Sequence, residues 1–279
     1  MATLKRPVVE LDPAGFNEMQ MCPVGPMLYN KNDFYVGGAL RKYGECCWQE
    51  SELFRQIVLP GQVVVEVGAN FGIHTVLLSK LANPGGAVFA FEPQRLVFQA
   101  LCANLALNQC VNVFAYQQAI GAENGQLEVP FLDPTTEQNF GALSLIGSTR
   151  GETVPVQTLD DWALPACHLL KADVEGMERD VLTGARDTIA KHRPILYVEN
   201  DRKDQSKSLI ELVFSLGYAA YWHLPPLFSP GNFAGDAEDI FPGVVSINML
   251  CTPAEVNLPV SGVRKIISPD EDWERVHRR

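Results

Sequence analysis

The chain has no C-x-x-C pair, and its seven cysteines (Cys22, Cys46, Cys47, Cys102, Cys110, Cys167 and Cys251) are odd in number. Both facts argue against a disulfide framework or a structural zinc site and for reduced thiols. Long apolar runs are missing too. Stretches such as 63–65 and 76–78 are far too short to span a bilayer. Positive charge is in deficit, with a net charge of -11. An acidic surface repels phosphate backbones, so no nucleic-acid partner is expected. The first ten residues lack the apolar run of a secretory leader, and the expectation is a cytoplasmic protein with no membrane partner. Oligomeric state stays open.

What is present is a regular alternation. Residues 1–60 are dotted with Pro and Gly and read as an N-terminal extension or lid, with helical spacing over 51–58 stopped by Pro60-Gly61. A β-branched run, 62–67, reads as a buried strand. A helix over 72–82, a strand over 87–91, a helix over 93–107 with Pro93 in its first turn, and a strand over 111–116 follow. That order is the pattern of a parallel sheet covered by helices. Residues 125–159 break it and read as a hairpin-like insertion. Then come a strand (168–173), a helix (176–192), a strand (194–199), a helix (206–216) and a closing strand pair (218–223 and 244–251). The expected main domain is 61–255, with 256–279 as a tail.

In such sheets ligands bind beyond the carboxyl ends of the strands. The first strand runs directly into Glu66-Val67-Gly68-Ala69-Asn70-Phe71-Gly72. Gly68 permits a tight turn and close backbone approach, and Gly72 lets the next helix pack near the strand. Helix N-terminal N–H groups then face a ligand carboxylate. Glu92 ends the second strand, where an acid accepts hydrogen bonds from ribose hydroxyls. Those hydroxyls occur in NAD and in S-adenosylmethionine alike. The loop lacks G-x-G-x-x-G because position 70 is Asn, which weakens the case for a pyrophosphate.

With these residues on the page, the chain resembles the FkbM family of methyltransferases. The matching stretches are 65–72, Phe91-Glu92-Pro93, Asn104 with Asn108, Leu159-Asp160, 171–176, Val198-Glu199-Asn200, and 246–251 followed by Pro253. Glu66 stands where the family more often has Asp, and Ala172 where it commonly has Ile. The resemblance implies a class I methyltransferase fold, a Rossmann-like, seven-stranded, mostly parallel α/β sheet with its last strand reversed and helices on both faces. It implies S-adenosylmethionine as cofactor and a hydroxyl of a sugar, polyketide or other small molecule as acceptor. Glu66, Gly68, Ala69, Asn70, Gly72, Glu92, Pro93, Ala119 and Asp173 are the expected cofactor residues.

Transfer to a hydroxyl needs a base or a metal. Asp173 and Glu199 end the fourth and fifth strands, and His74 lies in the first turn after the cofactor loop; these are the catalytic candidates. Asp173 also reads as a helix N-cap, and Lys171 as the partner of a nearby acid. Asp173, Glu199 and Asn200 together form an oxygen set suited to a divalent cation such as Mg, Ca or Mn. Asn200, Tyr197, Trp222 and His223 are expected to line the acceptor, although aromatic residues there equally suit a core. Alternatives are N-methylation of an amine or amide, an NAD-dependent oxidoreductase, and a non-catalytic cofactor-binding protein. The Asn/Asp-Pro-Pro-Tyr tetrad of base-amino methylation is missing after the fourth strand.

Overall fold

The computed structural model describes residues 8–12, 14–141, 143, 150–256 and 259–274. The N-terminal region holds more regular structure than its Pro and Gly content suggests. Strands β1 (Val8–Glu10), β2 (Asn17–Cys22) and β3 (Gly25–Asn30) pair antiparallel, and helices α1 (Val36–Tyr43) and α2 (Trp48–Ile57) follow. Alternation along β3 buries Met27 and Tyr29, and helical spacing in α2 buries Leu53, Phe54 and Ile57. All five join the same core as Val64 and Val76 of the central region.

The central elements are β4 (Val63–Val67), α3 (Ile73–Ala82), β5 (Ala87–Phe91), α4 (Arg95–Leu107), β6 (Val113–Tyr116) and the short β7 (Ala119–Ile120). The 125–159 region contains β8 (Gly125–Val129) and β9 (Glu152–Gln157), paired antiparallel; β9 also pairs with β7, so a small three-stranded sheet forms. Then come β10 (Leu169–Ala172), α5 (Glu178–Thr183), α6 (Arg186–His192), β11 (Ile195–Glu199), α7 (Lys203–Ser215), β12 (Tyr218–His223), β13 (Asn248–Pro253) and β14 (Arg264–Lys265). The large sheet has the order β14-β12-β13-β11-β10-β4-β5-β6. Strand β13 runs antiparallel to both neighbours, the reversed strand expected from the sequence.

The sheet has eight strands rather than seven. The extra edge strand is two exposed basic residues, with no apolar alternation to betray it. The helix expected over 176–192 is two helices separated at Gly184, where an added Cβ would lie 2.0 Å from the Gly121 carbonyl oxygen. Pro93 lies outside α4, because the Glu92 carboxylate accepts the Gln94 N–H at 2.9 Å and keeps that segment extended. Among the described residues no helix is long and apolar enough to cross a membrane.

Period-two alternation divides the core. Val64 and Leu169 face the side covered by α3 and α4, whereas Val65, Val67, Leu170 and Ala172 face the side covered by α5–α7. By the same alternation Glu66 and Lys171 share the face of Val64. The parallel register places them side by side, with Tyr197 of β11 next in the row.

Asn104 of α4 holds the N-terminal sheet to this frame. It is fully buried; its Nδ2 donates to the carbonyls of Leu28 (2.8 Å) and Phe71 (2.7 Å), and its Oδ1 accepts the Leu28 N–H at 2.6 Å. Asn108, one turn on, donates to Pro26 O at 2.8 Å. Asn104→Ala strands one buried and two partly buried backbone groups and is expected to cost about 2 to 3 kcal/mol, read from the urea midpoint at unchanged slope.

Candidate functional site

Two clefts open at the carboxyl ends of the parallel strands. The first is lined by Val67, Gly68, Glu92–Gln94, Gln118–Ile120, Gly141, Leu143, Asp173–Glu175 and Met177. Four of the expected cofactor residues, Gly68, Glu92, Pro93 and Ala119, line it, together with Asp173. Gly68 has φ +82°, and a Cβ there would sit 1.8 Å from the Asp173 carbonyl oxygen, so the loops after β4 and β10 touch backbone to backbone. Glu92 is buried, and its two oxygens accept the N–H groups of Asn70 and Gln94, both at 2.9 Å. Each oxygen keeps a second lone pair for a ligand hydroxyl. Burial pushes its carboxyl up to about 7 despite those two bonds.

Four expected cofactor contacts do not line this cleft, and one of them, Asn70, lines the neighbouring cleft instead. Glu66 lies beneath it: strand alternation turns its side chain to the α3 face, where Thr75 Oγ1 donates to it at 2.6 Å and Lys171 Nζ stands 3.6 Å away. Ala69 is buried, with its N–H given to the Phe91 carbonyl at 3.0 Å. Gly72 caps α3 at φ +87°, and its missing Cβ makes room for Leu101 of α4.

The second cleft is strongly polar. Its ionisable walls are Glu50, His74, Asp173, Glu175, Glu199, Asp201 and Arg202, with Asn70, Asn139, Ser246 and Asn248 beside them. It shares Gly141, Asp173 and Glu175 with the first cleft. Three non-glycine residues on its wall, Cys47, Asn70 and Glu175, have φ between 50° and 57°, a conformation retained only where the surroundings impose it. At Glu175 the constraint is visible: Glu178 accepts the N–H groups of Val174 and Gly176, and Arg202 pairs with Glu175 from the opposite side.

Asp173 does not cap a helix; α5 starts five residues later, and the Asp173 carboxylate instead takes Lys171 Nζ at 3.3 Å. His74 is nine-tenths buried, and the Cys47 carbonyl accepts a hydrogen bond from its ring. Among the described residues its Nε2 has no hydrogen-bond partner, and it lies 3.8 Å from Glu50 Oε2. Burial, with the Lys171 charge, pushes this imidazole well below its usual value, so it is neutral. Glu50 is held by Ser246 and Asn248, and burial raises its carboxyl to about 7. Cys46 and Cys47 bring their Sγ atoms to 2.9 Å, and that contact and burial keep the Cys47 thiol well above its usual value.

The expected acceptor wall is corrected. Tyr197, Trp222, His223 and Asn200 line neither cleft. Tyr197 packs edge-on to Phe54, and its hydroxyl meets His223 Nδ1 at 2.8 Å inside the core. Trp222 belongs to the core on the other face. Asn200 turns toward β13, with Nδ2 3.2 Å from Met249 Sδ. The expected Asp173–Glu199–Asn200 ligand set is therefore not assembled. Oxygens of Asp173, Glu175 and Glu199 do lie within 4.8 Å of one another. Asp173 already carries Lys171, and Glu175 already carries Arg202. One uncommitted carboxylate does not fit a hard divalent ion, which wants six or more oxygens.

Sequence reasoning missed Glu50, Cys46, Cys47, Asp201, Arg202, Ser246 and Asn248. Asp201 and Arg202 directly follow the fifth strand and were within reach of the strand-end rule. Glu50 carried no signal, since its place depends on how the N-terminal segment packs.

The chain matches the methyltransferase FkbM domain over residues 66–219. It belongs to that family. It is similar to Methyltransferase 1 of Beauveria bassiana, 31% identical over 146 residues that cover 44% of this chain and 58% of that one. It is 28% identical to the 31-O-demethyl-FK506 methyltransferase FkbM of Streptomyces tacrolimicus, over 61% of this chain and 77% of that one. It is 27% identical to the hexuronic acid methyltransferase AglP of Haloferax volcanii, over 55% and 63%. The chain thus spans less than two thirds of the Beauveria and Haloferax relatives. The solved FkbM methyltransferase of Methylobacillus flagellatus aligns with TM-score 0.47 at 19% identity, over 69% of this chain and 43% of that one.

The crowded carboxylates set a pH dependence. Burial raises Glu50, Glu92 and Glu178 to about 7 and Glu175 to about 8, so the folded state holds protons that the unfolded state has released. Stability therefore falls as pH rises through these values. The lowered histidines His74 and His223 act in the opposite sense only below their unfolded value of 6.5. The urea midpoint of the ligand-free protein is expected to drop between pH 6.5 and 8, and Glu50→Gln to flatten that drop.

Proposed function

We propose that the protein is an S-adenosylmethionine-dependent O-methyltransferase acting on a small hydroxylated molecule. The observation that carries this reading is the shared wall of the two clefts. Gly141, Asp173 and Glu175 border both, so a methyl group leaving a ligand in one is delivered into the other. In the first cleft Glu92 takes the ribose hydroxyls, Gly68 admits the ligand close to the backbone, and Ala119 and Ile120 offer apolar surface to adenine. In this reading residues 61–255 form the transferase domain, with 125–159 inserted and 256–279 a tail. The N-terminal extension, packed into the central core over its described residues, contributes Glu50 to the acceptor side.

The bound cofactor supplies an electrophilic methyl on a sulfonium. Transfer of that methyl to an acceptor hydroxyl would release the cofactor as a neutral thioether and leave one proton for the residues of the second cleft to take. His74 Nε2 receives the hydroxyl proton. Its lone pair is free because the ring proton is committed to the Cys47 carbonyl. Glu50, 3.8 Å away, stabilises the imidazolium once ionised, so turnover rises as pH passes about 7. No step requires a metal.

S-adenosylhomocysteine should stabilise the protein in calorimetry and NAD should not; stabilisation by NAD alone would overturn the cofactor assignment. Glu92→Ala is expected to weaken S-adenosylhomocysteine about 10- to 100-fold. His74→Ala is expected to lower kcat about 10²- to 10⁴-fold with cofactor affinity unchanged. A fully active His74→Ala would remove His74 as the base.

A further inference from the structure

The second cleft is unbalanced in both charge and hydrogen bonding. Five carboxylates line it: Glu50, Asp173, Glu175, Glu199 and Asp201. Lys171 answers Asp173, and Arg202 is shared by Glu175 and Asp201. Among the described residues Glu199 and Glu50 make no ion pair with a Lys or Arg, although the Lys171 charge is felt at Glu50. The buried, unpartnered polar atoms on this wall are Glu199 Oε2, Asp201 Oδ1 and His74 Nε2. With the His74 ring proton committed to Cys47, His74 Nε2 is an acceptor. Burial and the neighbouring carboxylates raise Glu199 and Asp201, so their oxygens are full acceptors once a cation offsets that crowding. His74 is itself nine-tenths buried. Buried acceptors are costly unless water or a ligand brings them donors, and a ligand with donors fits this cleft.

Resting on the methyltransferase reading, we propose that the methyl acceptor is cationic: an amino alcohol or amino sugar whose ammonium group sits against Glu199 and Asp201 while its hydroxyl faces His74. An ammonium offers three donors and one positive charge, which matches the unpartnered oxygens and the excess of carboxylates. A divalent ion would demand more uncommitted oxygens than the wall holds. A carboxylate or phosphate on the acceptor would add negative charge to a wall whose carboxyls are already raised by burial and by one another. The same charge excludes the nitrogen as methyl acceptor. Held as ammonium, it has no lone pair to attack with, and the neutral hydroxyl beside His74 becomes the nucleophile.

The test uses three probes on one carbon frame: 3-amino-1-propanol, 1,3-propanediol and 3-hydroxypropionate. Their binding to the full chain loaded with S-adenosylhomocysteine is followed by ligand-observed NMR. The amino alcohol is expected to bind at least about tenfold more tightly than the diol, and the acid not at all. Glu199→Gln and Asp201→Asn, both near-isosteric, should each reduce the amino alcohol's advantage. Equal binding of diol and amine, preferential binding of the acid, or an advantage that survives both substitutions would overturn the proposal. So would tight binding of magnesium chloride that displaces the amine. S-adenosylhomocysteine binding is measured first on each protein. Its failure in the unsubstituted chain overturns the methyltransferase reading, whereas cofactor binding without amine preference overturns the charge assignment alone.

Discussion

The buried ammonium of Lys171 is the constraint on which both clefts depend. Burial alone would discharge it, but Asp173, Glu66 and Glu50 outweigh that cost and hold it charged. Its two ion-pair partners lie on different segments: Glu66 inside β4, and Asp173 just beyond β10. The bridge therefore fixes the ends of two adjacent parallel strands at the point where the loops they feed come into backbone contact. Gly68 makes that contact possible, since any Cβ there would collide with the Asp173 carbonyl. Asp173, held in this way, becomes the partition between the two clefts.

From that partition the site divides by origin. The first cleft is built almost wholly from strand ends within the segment that matches the FkbM domain, residues 66–219. The second takes Cys46, Cys47 and Glu50 from one side of that segment and Ser246 and Asn248 from the other. On the proposed reading, cofactor handling is the part within the matched segment, and acceptor handling draws on chain outside it. The tie of the N-terminal region to the frame is specific: Asn104 clamps β3 to α4, and Asp33 accepts the Phe140 N–H at 3.0 Å to hold the inserted segment.

The misread residues share one physical cause. Tyr197, Trp222 and His223 were placed near the acceptor because they lie on late strands, yet distance along a strand does not say which face or depth a side chain occupies. Tyr197 falls in the row of Lys171 and Glu66, where Phe54 of α2 covers it. Trp222 points to the opposite face. Asn200 follows Glu199 in sequence, and the pleat turns it away from the carboxylate it was paired with.

The reversed last strand was implied by the family resemblance; by itself the sequence determined the alternation of strands and helices and the glycine loop after the first strand. Those features rest on local periodicity and on glycine, which act over a few residues. It also marked Glu92, Asp173 and Glu199, because strand ends are predictable places. Only the tertiary structure decided which carboxylates are already paired, that Glu66 supports the loop from beneath, and that Glu50 stands beside His74. Those facts depend on the packing of segments far apart in the chain, and on burial, which sets the protonation and the unmet hydrogen bonds of each group.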